Sequence, residues 1–128
     1  AINLAIKSGY GVAIITGGNT ESVKVRYEAL GVKHIYMNSS FKMNEFKHLL
    51  EVSGYKPEEM VYVGDDIPDY HVMKEVALPV APADAAPEIK EIAKYISPRK
   101  GGEGVARDII EQVLRSQGNW MHSEAFGW

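Results

Sequence analysis

Three short stretches of this chain carry side chains that together could do chemistry. Thr16-Gly17-Gly18-Asn19 ends a hydrophobic run, and a helix-like stretch begins at about Thr20. A hydroxyl donor followed by two glycines at a helix N-terminus suits an anion, because glycine lets backbone N–H groups approach and the helix dipole favours negative charge. The same residues also make an ordinary strand-to-helix turn with Asn19 as its N-cap. Lys42 stands just ahead of the apolar stripe that starts at Phe46. A cation is unfavourable near a helix N-terminus, so Lys42 is either a solvated surface residue or is held by an anionic ligand or a carboxylate. Val63-Gly64-Asp65-Asp66-Ile67-Pro68-Asp69 closes a further hydrophobic run with two adjacent acids. Charge at the end of a buried strand is costly to desolvate, and a hard divalent cation with oxygen ligands, usually Mg²⁺, offsets that cost. The competing use is local: Asp66 or Asp69 as helix N-caps and Asp65 as a turn former, with Asp69 expected to be mostly structural. Anion donors, a lysine and an acid pair, each ending a successive strand, describe a phosphoryl-transfer pocket.

The elements that must position these residues are visible as short apolar runs. Val12-Ala13-Ile14-Ile15, His34-Ile35-Tyr36-Met37 and Met60-Val61-Tyr62-Val63, with weaker runs at Ala77-Leu78-Pro79-Val80 and Tyr95-Ile96, read as strands buried on both faces. Between them, Val23, Tyr27 and Leu30 recur at helical spacing and are followed by Gly31. Phe46, Leu49 and Leu50 form a second stripe ending at Gly54, Val72, Met73 and Val76 a third, and Val105, Ile109, Ile110 and Val113 a last one. Strands alternating with helices at this spacing predict a parallel α/β sheet, with functional residues at the carboxyl ends of the strands.

Composition limits the alternatives. The chain has 128 residues, no cysteine and a formal net charge of -3. This length suits one domain, 1–128, and the missing cysteines exclude disulfides, thiol catalysis and cysteine zinc sites. Mild acidity argues against a nucleic-acid partner, and no apolar run reaches the ~20 residues of a membrane span. His34, His48, His71 and His122 show no metal-ligand spacing.

On these residues the chain resembles the haloacid dehalogenase superfamily phosphatases. Thr16 after a hydrophobic strand, Lys42 before a helix and Gly64-Asp65-Asp66-Ile67-Pro68-Asp69 look like motifs two, three and four of that family. Lys100-Gly101-Gly102-Glu103-Gly104-Val105-Ala106-Arg107, with Ala83-Asp84-Ala85 and Gln117-Gly118-Asn119-Trp120, is similar to its capless 3-deoxy-D-manno-octulosonate 8-phosphate phosphatases. The resemblance implies a Rossmannoid three-layer α/β/α sandwich with a mainly parallel sheet. It implies an Mg²⁺-dependent cytoplasmic enzyme, in a lipopolysaccharide-building bacterium, that hydrolyses the phosphate ester of a sugar acid. In the family's reaction an aspartate attacks phosphorus, a second aspartate two residues later acts as acid and base, and water hydrolyses the aspartyl-phosphate. Carried over, Thr16 and the Gly17 amide hold the phosphate, with Gly18 beside them. Lys42 neutralises the phosphate and helps position the nucleophile, Asp65 binds Mg²⁺, and Asp66 supports the metal shell or Lys42. The family's homotetramers close each site with a neighbouring subunit. The loop containing Arg99, Gly101 and Gly102, and the 117–128 tail with Phe126 and Trp128, are the candidates for that role.

Two departures from the family pattern follow. Relatives often carry arginine after the Thr-Gly pair, where this chain has Gly18, and Arg26 is the candidate replacement for that substrate contact. The motif-one Asp-x-Asp is absent, since no aspartate precedes Asp65. The family's sheet places the motif-one strand centrally, so the expectation is a polypeptide that continues before Ala1 by roughly a few tens of residues, the size of a strand plus crossover. By the same reasoning the 128 residues alone are expected to be inactive. The alternatives are a phosphatase for a nine-carbon sugar-acid phosphate (KDN 9-phosphate) and a non-catalytic phosphatase-like oligomerisation module.

Overall fold

A computed structural model describes residues 2–18, 21–101 and 104–118, which form thirteen short elements in two compact units. The first unit spans residues 1–38 and 106–128, and the second spans residues 39–105.

In the first unit, helix α1 (Ile2–Lys7) leads to strand β1 (Ala13–Ile15), helix α2 (Glu21–Ala29) and strand β2 (His34–Tyr36). β1 and β2 pair in parallel, with Ala13 opposite His34 and Ile15 opposite Tyr36. Leu4 of α1 is buried against Leu114, with Tyr10 and Ile110 packed around them. Leu114 and Ile110 belong to the last helix, Val105–Ser116, numbered α6 in chain order. Its apolar residues Ile109, Ile110, Val113 and Leu114 recur at i, i+1, i+4 and i+5, which makes one face apolar. The turn after α2 needs glycine: Gly31 has φ +94°, where a side chain is strained.

In the second unit, helix α3 (Lys42–Ser53) precedes strand β3 (Val61–Val63), helix α4 (Tyr70–Met73), strand β4 (Leu78–Ala81), helix α5 (Pro87–Ile92) and strand β5 (Tyr95–Ile96). Single 3₁₀ turns at Pro57–Glu59 and Ile67–Asp69 flank β3. The sheet order is β3-β4-β5, all parallel, so the three strands end on a common rim. Its core is Met73, Ala81, Ala85 and Ile89, with Tyr62, Tyr70 and Ile92 packed against it. α3 stops at Gly54, whose φ of 76° is left-handed and whose N–H donates to Leu50 O.

Parallel strands alternating with helices are the α/β arrangement expected from the sequence. Three local features differ. Of the described strands only β4 is nearly buried throughout: β1 and β2 are half-buried, Ile96 of β5 is 45% exposed, and Val61 and Val63 of β3 are each 41% exposed, β4 being the one strand neighbour of β3 among the described residues. The helix expected over Val72–Val76 is a four-residue segment entered from a 3₁₀ turn and finished at Met73. α5 was not legible as a periodic stripe, since its six residues offer only Ile89 and Ile92 as apolar positions; Pro87 at its first turn was the available signal.

These packing assignments predict distinct stability costs. Met73→Ala, at a fully buried position, should cost about 2–5 kcal/mol, whereas Val52→Ala, at a 51% exposed position, should stay within about 0.5 kcal/mol. Urea denaturation of the two variants measures the difference, and equal costs would contradict this core.

Candidate phosphate and metal site

Asp69 organises the chemistry-bearing end of the second unit. The chain leaves β3 through Gly64 and turns at Ile67–Asp69, which brings the Asp69 carboxylate back beneath the strand end. Asp69 is 2% exposed yet makes four hydrogen bonds through its side chain. Its Oδ1 accepts from Lys42 Nζ at 2.9 Å and from the Tyr62 hydroxyl at 2.6 Å. Its Oδ2 accepts from the backbone N–H groups of Asp65 at 3.0 Å and Asp66 at 3.3 Å. Gly64 makes this possible, because a Cβ there would lie 2.5 Å from Asp69 Cβ and 2.6 Å from Met73 Sδ.

The charges follow from these contacts. Burial raises the Asp69 carboxyl, but hydrogen bonds from Tyr62 and Lys42 and the lysine's charge outweigh it and hold the group below its ordinary range. Burial first, then the bond to Asp69 and its negative charge, push the Tyr62 hydroxyl far upward, so it remains a donor. Asp65 lies at the surface, yet partial desolvation and the negative charge of Asp69 raise its carboxyl. A cation beside Asp65 would relieve both effects.

Lys42, the first residue of α3, is held by a carboxylate, with its side chain 17% exposed. That partner is Asp69 and not Asp66, because the 3₁₀ turn tucks Asp69 under Gly64 within reach of α3. Asp66 caps the same turn, with Oδ1 accepting from Ile67 N at 2.8 Å, so its local use is realised. Asp65 and Asp66 supply the hard oxygen donors that Mg²⁺ prefers. No set of three or more His, Asp or Glu side chains converges among the described residues, so these two acids fit a cation as part of its shell and not as a complete cage.

Hydrogen bonds donated by backbone amides join the loops at the rim. Ala86 N donates to Asp65 O at 3.0 Å, Ala83 N to Arg99 O at 2.8 Å, and Gly101 N to Asp84 Oδ1 at 2.7 Å. Arg99 and Gly101, both exposed, are thereby tied to the turn between β4 and α5. Gly102, Asn19, Thr20 and the tail residues Trp120, Phe126 and Trp128 lie outside the described residues.

In the first unit, Thr16 N donates to Tyr36 O at 2.9 Å, extending the β1–β2 ladder. Thr16 Oγ1 accepts from Gly18 N at 3.1 Å, which leaves the hydroxyl proton to donate elsewhere. Gly18 O accepts from Asn38 N at 2.7 Å. Gly17 and Gly18 are exposed. Arg26, on α2, lies over the ring of Tyr27 at 5.0 Å.

The signals that could have found Asp69 and Tyr62 are faint. Asp66 and Asp69 have the cap-and-N3 spacing of a capping box, but nothing local ties either to Lys42, 27 residues from Asp69. The Asp84–Gly101 contact spans 17 residues and has no sequence signature.

Comparison with known proteins adds family context. Residues 34–109 match the haloacid dehalogenase-like hydrolase family. Over 117 residues the chain is 41% identical to a 3-deoxy-D-manno-octulosonate 8-phosphate phosphatase of Escherichia coli K12, covering 91% of this chain and 62% of that protein. The chain therefore spans about three-fifths of the length of that relative. A crystal structure of the same-named phosphatase from Yersinia pestis superimposes with a TM-score of 0.89 at 37% identity, covering 92% of this chain and 64% of that one. The phosphatase from Moraxella catarrhalis, solved in complex with magnesium ion, phosphate ion and a KDO molecule, superimposes with a TM-score of 0.89 at 28% identity, covering 98% and 70%.

Removing Asp69 should be among the costliest single changes at this site. Asp69→Ala leaves Lys42, Tyr62 and two amides without their acceptor and should cost about 3–5 kcal/mol, with Lys42→Met costing less because Asp69 then keeps its three other donors. A cost below about 1 kcal/mol for Asp69→Ala in chemical denaturation would contradict this arrangement.

Proposed function

Because the chain belongs to the haloacid dehalogenase-like hydrolase family, we propose that it hydrolyses the phosphate ester of a sugar acid, 3-deoxy-D-manno-octulosonate 8-phosphate, with Mg²⁺ as cofactor. The observation that carries this reading is the Asp69 carboxylate. It holds an ammonium group and the backbone of an acid pair in one fixed arrangement at the end of a strand. An ordinary strand-to-helix turn has no need of a lysine from another helix. The similarity to phosphatases of that name supports the substrate, as does a relative that binds magnesium, phosphate and KDO.

Lys42 places its positive charge where a phosphoryl group gains negative charge, and Asp69 prevents the ammonium from swinging into solvent. Asp65 and Asp66 would hold the Mg²⁺, which when bound supplies positive charge for phosphate oxygens. Asp65 is the direct ligand, and Asp66, with one oxygen occupied by Ile67 N, supports it. The Thr16 hydroxyl and the Gly17 amide are anion donors, the Thr16 oxygen accepting from Gly18 N while its proton can still donate. Arg26, Arg99, Gly101 and Gly102 are assigned to substrate binding. No aspartate precedes Asp65, and the attacking carboxylate of the family's aspartyl-phosphate reaction is assigned to none of the 128 residues. Assembly as a cytoplasmic homotetramer, with residues 117–128 contacting a neighbouring subunit, completes the reading.

Full-length protein tests it. Asp65→Ala should lower Mg²⁺ affinity, read by calorimetric titration, and phosphatase turnover together, each by at least about ten-fold. Lys42→Ala should lower turnover by roughly a hundred-fold. Full activity in Asp65→Ala would refute the metal assignment. Turnover of KDN 9-phosphate in preference to the eight-carbon substrate would move the specificity to the nine-carbon acid. An intact tetramer that neither binds Mg²⁺ nor hydrolyses either ester would identify an oligomerisation module.

A further inference from the structure

Asp84 is an exposed acid in the turn between β4 and α5, and its carboxylate is spent on a backbone amide 17 residues away. At 2.7 Å, Gly101 N donates to Asp84 Oδ1, a short charge-assisted bond. It is the third of three ties that fix the segment after β5. Arg99 O accepts from Ala83 N at 2.8 Å, and Arg99 N donates to the hydroxyl of Ser97, which is itself 1% exposed, at 3.1 Å. Backbone bonds thus hold the segment at Arg99, and Asp84 holds it again two residues later. Between these anchors lie the side chains of Arg99 and Lys100, both exposed and neither in an ion pair with a described residue. Asp84 could have neutralised one of these cations; its Oδ1 accepts the amide instead, and neither cation is ion-paired among the described residues. The turn that carries Asp84 is also tied to the acid pair, because Ala86 N donates to Asp65 O.

We infer that Asp84 is a positioning residue: by accepting the Gly101 amide it holds Arg99 and Lys100 at the strand-end rim as the cationic part of the site that recognises a substrate carboxylate. The inference rests on the sugar-acid phosphate reading and deepens it, since a sugar acid differs from a simple phosphate ester by that carboxylate. A planar guanidinium is well suited to a carboxylate, which it can bind through two parallel hydrogen bonds. A segment left free to move would lose part of that affinity to ordering entropy.

The test uses full-length Asp84→Ala and Asp84→Asn. Amide hydrogen exchange, without substrate, should show Gly101 losing protection in Asp84→Ala and retaining most of it in Asp84→Asn, which keeps an acceptor oxygen. The ratio of kcat/KM for 3-deoxy-D-manno-octulosonate 8-phosphate over p-nitrophenyl phosphate, which has no carboxylate, should fall roughly ten-fold in Asp84→Ala. The loss should lie in KM, and Asp84→Asn should recover most of it. Unchanged Gly101 protection in Asp84→Ala overturns the inference, as does an equal fall on both substrates or a loss confined to kcat. A wild-type enzyme that cleaves p-nitrophenyl phosphate but not the sugar-acid ester overturns the substrate reading instead; the exchange comparison, which uses no substrate, keeps the two failures apart.

Discussion

A carboxylate removed from water must find enough donors to replace its hydration, and Asp69 finds four. Two are side chains, from α3 and β3, and two are the amides of the acid pair, so satisfying one buried charge fixes the relative positions of three segments. Gly64 is bare because the carboxylate needs the space a Cβ would take. The 3₁₀ turn at Ile67–Asp69 is what folds Asp69 back to that space. Lys42 tolerates the unfavourable start of a helix because an anion faces it directly.

The same need for satisfied polar groups organises the rest of the rim. β3, β4 and β5 are parallel and end together, so three loops emerge side by side with unpaired amides and carbonyls. They pair with each other: Ala86 with Asp65, Ala83 with Arg99, and Gly101 with Asp84. Arg99 and Lys100 are then held through their backbone, and neither forms an ion pair with a described residue. In the first unit the Thr16 turn follows a related economy. The Gly18 amide is satisfied by the threonine oxygen, and the hydroxyl proton remains to be donated.

Much of this was legible in residue order. Short β-branched runs closed by Thr16 and by Asp65-Asp66 marked strands whose ends carry chemistry, and Gly31 and Gly54 marked helix ends. These signals are local, with a period or a cap within a few residues. Features that failed to show were too short or too distant. α5 has too few turns to display a stripe. The exposure of Val61 and Val63 depends on how many strands flank β3, which apolar character alone cannot specify.

The division is sharpest at the acids. Sequence alone established an α/β chain with a hydroxyl–glycine turn, a lysine at a helix start and two acids closing a strand, because residue type and near-neighbour spacing set local backbone preference. It could not decide which carboxylate meets Lys42. Asp66 and Asp69 are three residues apart and chemically identical, and only the turn beneath Gly64 buries one against Lys42 and Tyr62 while the other caps Ile67. Nor could it pair Asp84 with Gly101, since that contact exists only once β4 and β5 lie side by side. Tertiary structure assigned these roles because burial and long-range hydrogen bonding, unlike helix or strand preference, depend on residues that are neighbours in space and not in sequence.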